Sequence, residues 1–261
     1  LGNYNGTPAD PVIPLRGIRE KVAGQSEVLY SRGCNWVEGM PNQKPSDELI
    51  AEALDIAKKA DVVIMCMGIT PRLEGEEMKV NAEGFRGGDR VRIDLPDIQQ
   101  ELIKKIHALG KPVVLVLLGG SAIAVNWENE NIPAIIHAWY PGQAGGHAIA
   151  DVIFGDYNPA GRLPVTVYKS VNDLPPFEDY SMKNRTYRYF TGEPLYRFGY
   201  GLSYTTFAYS KLKINKSYKT GEPVEVSVNV KNTGKREGEE VVQLYVSNLT
   251  ANVPVPLRAL K

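Results

Sequence analysis

Three glutamates crowd one short stretch of the chain. In "GITPRLEGEEMKV", Gly68 to Val80, Glu74, Glu76 and Glu77 surround a single glycine directly after the apolar run "DVVIMCM". Like charges this close disfavour one another's ionisation, and partial burial adds to the effect, so one carboxyl of such a cluster tends to keep its proton. A protonated carboxyl on a loop is a general acid. The same spacing is compatible with a solvated acidic bend or with a cation site. Arg86, Asp89, Arg90 and Arg92 in "GFRGGDRVRI" are close enough in sequence to pair with the glutamates instead. Spacing alone leaves these three readings open.

The elements that must position this loop are legible in the surrounding pattern. From Pro14 to about Val167, helical and strand-like apolar segments alternate, the mark of βα units and a mostly parallel sheet. "SDELIAEALDIAKKAD" repeats Leu49, Ile50, Ala53, Leu54 and Ala57 at helical spacing, with Ser46 expected as N-cap and Asp47 and Glu48 in the first turn. "LPDIQQELIKKIHALG" predicts a helix with Ile98, Leu102, Ile103 and Ile106 on one face, Pro96 near its start and Gly110 ending it. "DVVIMCMG", "KPVVLVLLGG" and "IPAIIHAWYPG" are apolar runs of strand length, as expected where a parallel sheet is covered on both faces. "SEVLYSRG" and "GRLPVTVY" are further strand candidates, and "GQAGGHAIADVIFGD" is a helix. In an open sheet of this kind ligands gather beyond the carboxyl ends of the strands, and the acidic loop lies there. The expected fold class is therefore an α/β sandwich of three layers with a doubly wound parallel sheet, over residues 1–168.

From 169 to 206 the texture changes to Pro, Gly and Tyr with little periodicity, which reads as a connecting segment held by aromatic contacts. Residues 207–261 then alternate Val224, Val226, Val228 and Val230, turn through "NTGKREGEE" and reach Val242, Leu244 and Val246. A period of two indicates antiparallel strands with one buried face, the start of an all-β sandwich. Both ends look cut, so a fragment of a larger protein is expected.

Composition narrows the partner. Lys and Arg total 30 and Asp and Glu total 30, which leaves no net field to draw in nucleic acid or an anionic membrane. A neutral small molecule or polymer suits that balance. No apolar run approaches the ~20 residues needed to span a bilayer, and no secretory signal is present. Cys34 and Cys66 lack metal or disulfide spacing, and are expected as buried thiols. A phosphate loop, a dinucleotide fingerprint and a hydrolase nucleophile elbow are all absent, so no cofactor is expected. "PGQAGGH" at a helix start suits an anion on free N–H groups, with His147 a site candidate or, more simply, a packing residue.

Several stretches together resemble the C-terminal part of glycoside hydrolase family 3, the β-glucosidases and β-xylosidases. The acidic loop is followed by "GDRVRIDLPDIQQELI", "KPVVLVLLGGSAIAV", "AIIHAWYPGQAGGHAIADVIFGDYNPAGRLPVTV" and "YRFGYGLSYTTF", so the likeness runs over nearly the whole chain. The resemblance implies an α/β sandwich followed by a fibronectin type III-like domain, incomplete here, after a barrel domain missing from this chain. It further implies a retaining mechanism in which an Asp on the barrel is the nucleophile and a Glu on the sandwich is the general acid/base, the two carboxyls ~5 to 5.5 Å apart. The family's loop commonly reads Glu-Gly or Ala-Glu-Gly before an Asp-Arg, which maps here to Glu76 as acid/base with Glu74 as the nearest rival. This chain departs from that pattern by an insertion, "EMKVNAEGF", ahead of Asp89 and Arg90, which are expected to pin the loop. The opening "LGNYNGTP" matches a turn that borders the sugar, so Asn5 and Thr7 are expected to reach a hydroxyl. The implied substrate is a terminal β-linked glucose or xylose of an oligosaccharide or glycoside, and the implied parent is periplasmic or secreted. The alternative is a non-catalytic module for carbohydrate binding or docking.

Overall fold

A computed structural model describes residues 6–215, 217–219 and 221–261. The chain opens with α1 (Pro14–Lys21) and α2 (Ser46–Lys59), then β1 (Val63–Gly68), three two-residue strands β2 (Asn81–Ala82), β3 (Phe85–Arg86) and β4 (Asp89–Arg90), and α3 (Asp97–His107). It continues through β5 (Val113–Leu118), α4 (Asn126–Asn131), β6 (Ala134–His137) and α5 (Gly145–Phe154). A short α6 (Thr186–Tyr189) precedes β7 (Phe207–Ile214), β8 (Val226–Asn232), β9 (Tyr245–Val246) and β10 (Ala259–Leu260).

The α/β class follows from how the apolar residues pair. β1, β5 and β6 form a parallel sheet in that order, with Met65 opposite Leu115, Gly68 opposite Leu118 and Leu117 opposite His137. Ile50, Ala53 and Ala57 of α2 and Ile98, Leu102, Ile103 and Ile106 of α3 pack with Met65, Val113, Leu115 and Leu117 in one core. The helical face read from spacing is the face that is buried. Val116 points the other way and is equally buried, so the central strand is covered on both sides. Its register partner Cys66 lies on the edge strand and is exposed, while Cys34 is half-buried. The expected pair of buried thiols is thus corrected, because an edge strand lacks the neighbour that would cover Cys66.

Three local expectations also change. Ser46 is the first helical residue of α2, with Pro45 at the cap; its hydroxyl accepts from Asn35 and donates to Glu38 instead of capping. Residues 26–33 form no strand, and Leu29 and Tyr30 are exposed. The segment "GRLPVTVY" does not join the parallel sheet. Pro164 has no N–H to give a ladder, and the stretch pairs instead with the connecting segment through Val167 and Tyr196 and through Leu163 and Tyr200. That segment is held by aromatic pairs as expected: Tyr187 stacks on Phe198, Tyr196 on Tyr200, and Tyr168 meets Phe190 edge-on.

The helix start in "PGQAGGH" is not an open anion site, since the Gly146 N–H donates to the Val12 carbonyl at 2.7 Å. Here α1 and α5 cross backbone to backbone: a Cβ on Gly17 would lie 2.2 Å from the Gly146 carbonyl oxygen. Glycine permits that approach. His147 pairs with Glu20 at 2.5 Å across the same crossing, a packing contact between helices. Among the described residues no helix is long and apolar enough to cross a membrane.

Candidate functional site

Each strand of the parallel sheet releases a loop at its carboxyl end, and the three loops converge on Glu74. From the loop after β1, Glu74 Oε1 accepts the Gly120 N–H at 2.6 Å and the Tyr140 hydroxyl at 2.6 Å, while Oε2 accepts the Ser121 hydroxyl at 2.8 Å. Gly120 and Ser121 follow β5, and Tyr140 follows β6. The Ser121 oxygen in turn accepts from Arg90 Nη1 at 3.1 Å, and Arg90 also donates to the carbonyls of Ala122 and Asp94. Burial lowers the Arg90 pKa from its ordinary value, with the nearby Glu74 and Asp94 charges pulling it back up. Burial and the bond to Glu74 raise the Tyr140 hydroxyl well above its usual range, so it remains a donor.

The loop that carries the glutamates rests on a small core of its own. Ile69 and Leu73 from the loop pack with Val37 and Phe85, and Met40, Val80 and Ala82 close around them. Phe85 comes from the inserted segment, which pairs with Arg86, Asp89 and Arg90 in the miniature antiparallel sheet β2–β3–β4. Arg92 fastens the base of that sheet to α3, bonding Glu83 at 3.0 Å, Asp94 at 2.6 Å and Asp97 at 2.8 Å. At the neck of the loop the Gly75 N–H meets the Gly88 carbonyl, and Met78 N–H meets that of Gly87. Gly88 has a φ of +94°, and a Cβ there would sit 2.2 Å from the Gly75 carbonyl oxygen. The neck closes only on glycine.

The predicted residues therefore separate. Glu74 is half-buried and tied to three donors, whereas Glu76 and Glu77 stand exposed beyond Gly75. Glu77 adopts a left-handed φ of 51°, a conformation that costs a non-glycine residue about 1 kcal/mol. Strain of this kind is concentrated in loops whose shape is dictated by their surroundings. Arg90 does pin the loop, through Ser121, while Arg92 pairs with Glu83, Asp94 and Asp97 and with none of the three glutamates. Thr7 is exposed, two residues before the Ala9 N–H that donates to Gln143 Oε1 in the loop after β6. Asn5 lies outside the described residues. Among the described residues no group of three His, Cys, Asp or Glu side chains is placed to hold a metal ion.

Gly120, Ser121 and Tyr140 carry no motif of their own. The available signal was positional: each follows directly on an apolar strand run, where side chains from separate loops meet.

The model of the glycosyl hydrolase family 3 C-terminal domain matches residues 1–204. A xylan 1,4-β-xylosidase of Xylanibacter ruminicola is 52% identical over 253 residues, covering 95% of this chain and 29% of that protein. Among solved structures, a β-glucosidase from Erythrobacter marinus superposes with a TM-score of 0.84 at 35% identity, over 100% of this chain and 37% of its own. A family 3 exo-β-xylosidase in complex with a xylobiose aziridine activity-based probe gives a TM-score of 0.80 at 31% identity, over 99% and 35%. This chain spans about a third of the length of such relatives.

Proposed function

The chain belongs to glycosyl hydrolase family 3, and from that membership we propose that it supplies the general acid/base of a retaining exo-β-glycosidase, with Glu76 as that residue. The observation that carries this reading is the division of labour in the acidic loop. Both Glu74 oxygens accept hydrogen bonds that fasten the loop to the sheet, while Glu76 stands two residues further on and exposed, on the side of the sheet where ligands gather. Glu74 fastens the loop to the sheet, and Glu76 is the exposed glutamate beyond it.

In this mechanism a carboxylate on a preceding barrel domain attacks the anomeric carbon as Glu76 gives its proton to the departing glycosidic oxygen. A covalent glycosyl-enzyme forms, and Glu76, now ionised, takes a proton from the water that hydrolyses it. The sugar sits between the two domains. The 261 residues alone then hydrolyse nothing measurable, since the nucleophile lies elsewhere. The substrate is a terminal β-linked xylose or glucose, and the 52% identity to a xylan 1,4-β-xylosidase supports xylose first.

The test is Glu76→Ala in the full-length parent. Turnover of xylobiose is expected to fall by about 10²–10⁴-fold, with release of an activated aryl leaving group spared in the first step. Added azide should restore turnover of the activated aryl glycoside and yield a β-glycosyl azide. Unchanged xylobiose turnover would move the role to Glu74. Unchanged turnover in Glu74→Ala as well would return the loop to a carbohydrate-binding or docking module.

A further inference from the structure

We propose that Tyr140 and Ser121 are positioning residues for the glycosidic proton transfer, acting through Glu74 to fix where Glu76 stands. This rests on the assignment of Glu76 made above. The Tyr140 and Ser121 hydroxyls hold opposite oxygens of the Glu74 carboxylate, at 2.6 and 2.8 Å, and the Gly120 N–H completes the hold at 2.6 Å. The site is closed tightly enough that a Cβ on Gly120 would lie 2.8 Å from the Tyr140 ring and 2.9 Å from Glu74 Oε1. Arg90 braces Ser121 from behind.

Between Glu74 and Glu76 the Gly75 N–H meets the Gly88 carbonyl, and on the far side of Glu76 the Met78 N–H meets that of Gly87. Only Glu76 and Glu77 lie between those two backbone bonds, and Glu77 takes up the left-handed turn. Two residues reach at most ~7 Å, so the Glu76 backbone cannot move far from the carboxylate that precedes it. Proton transfer in the bond-breaking step is sensitive to displacements of this order, about 10²-fold for a misplacement of 1 Å. Loss of either hydroxyl loosens one oxygen of Glu74 and shifts the acid within that short reach without removing it.

The experiment uses the full-length parent with Tyr140→Phe, Ser121→Ala and Glu74→Ala, alone and combined, each checked by thermal melting. Tyr140→Phe and Ser121→Ala should each lower kcat on xylobiose by roughly 10 to 100-fold with KM nearly unchanged. The pre-steady-state burst of dinitrophenolate from 2,4-dinitrophenyl β-xyloside, which needs no proton, should change by less than about threefold. In a Glu74→Ala background, Tyr140→Phe should add no further loss, since it acts through the side chain already removed. Equal losses on xylobiose and in the burst would overturn the proposal, because the hydroxyls would then serve sugar binding or the nucleophilic step. Full xylobiose turnover in both single variants would also overturn it, even with Glu76→Ala inactive and the acid assignment intact. Should Tyr140→Phe fail to fold, Ser121→Ala carries the same comparison. Azide rescue in Glu74→Ala with Glu76→Ala fully active would instead remove the assignment on which it rests.

Discussion

The parallel-sheet region and the strands after Phe207 contain similar apolar residues and treat them oppositely. In the first, Leu115, Val116, Leu117 and Ile103 are essentially inaccessible, sandwiched between strand and helix. In the second, none of the described residues is buried: Leu212 is 69% exposed and Val242 51%. β7 and β8 pair properly, Phe207 with Asn232 and Ile214 with Val226, with an irregularity between Ser210 and Lys213. The difference teaches that a period of two makes a ladder, whereas a core requires an opposing layer. What joins the second region to the first is mostly polar. Arg162 meets Glu240 at 2.8 Å and Asn158 donates to the Glu237 carbonyl, while the connecting segment adds Ser203 and Tyr204, which donate to Asn158, and Gly199, which accepts from Gln243.

The contrast is broken most directly by truncating one side chain in each region. Leu115→Ala should destabilise the protein by about 2–5 kcal/mol through lost burial and a residual cavity. Leu212→Ala should change stability by no more than about 0.5 kcal/mol. Urea unfolding of the two variants gives the comparison, and equal losses would mean that the second region has a core of its own. A smaller effect sharpens the joint between the regions. The Arg162 and Glu240 side chains are only 11% and 19% exposed, so Arg162→Met leaves a largely desolvated carboxylate and should cost about 2 kcal/mol. In calorimetry that variant should separate the unfolding of residues after 207 from that of the sheet; a single undivided transition would argue that apolar contacts carry the joint.

The smallest effect is on pH dependence. Burial holds the His137 pKa down at about 4, against an ordinary 6.5, and neither ring nitrogen has a hydrogen-bond partner. Between those values the unfolded chain binds a proton that the folded chain does not. Stability therefore falls as the pH drops from 6.5 towards 4, and this group has no effect above that window. His137→Phe should flatten the dependence of the sheet's melting temperature across that window. An unchanged slope would place the acid sensitivity elsewhere.

Much of the scaffold was legible because its signals are local. The 3.6-residue repeat of α3 named Ile98, Leu102, Ile103 and Ile106, and all four are buried. The apolar runs of β1, β5 and β6 are strands in a parallel sheet. Gln99 could not be read this way. It stands among those apolar positions, yet its amide satisfies both the N–H and the carbonyl of Gly68, buried at the carboxyl end of β1. The inserted segment was visible as a departure from pattern but not as a folded hairpin, since strands of two residues leave no periodicity to detect.

The amino-acid sequence by itself determined the alternation of helix and strand, the place of the acidic loop after β1 and the crowding of its glutamates. Composition set the absence of net charge. That Glu74 is fastened to the sheet's other loops was decided only in three dimensions, because the groups that bond it, Ser121 and Tyr140, lie 47 and 66 residues away along the chain. No spacing rule connects residues so distant; they meet because parallel pairing brings the carboxyl ends of three strands side by side.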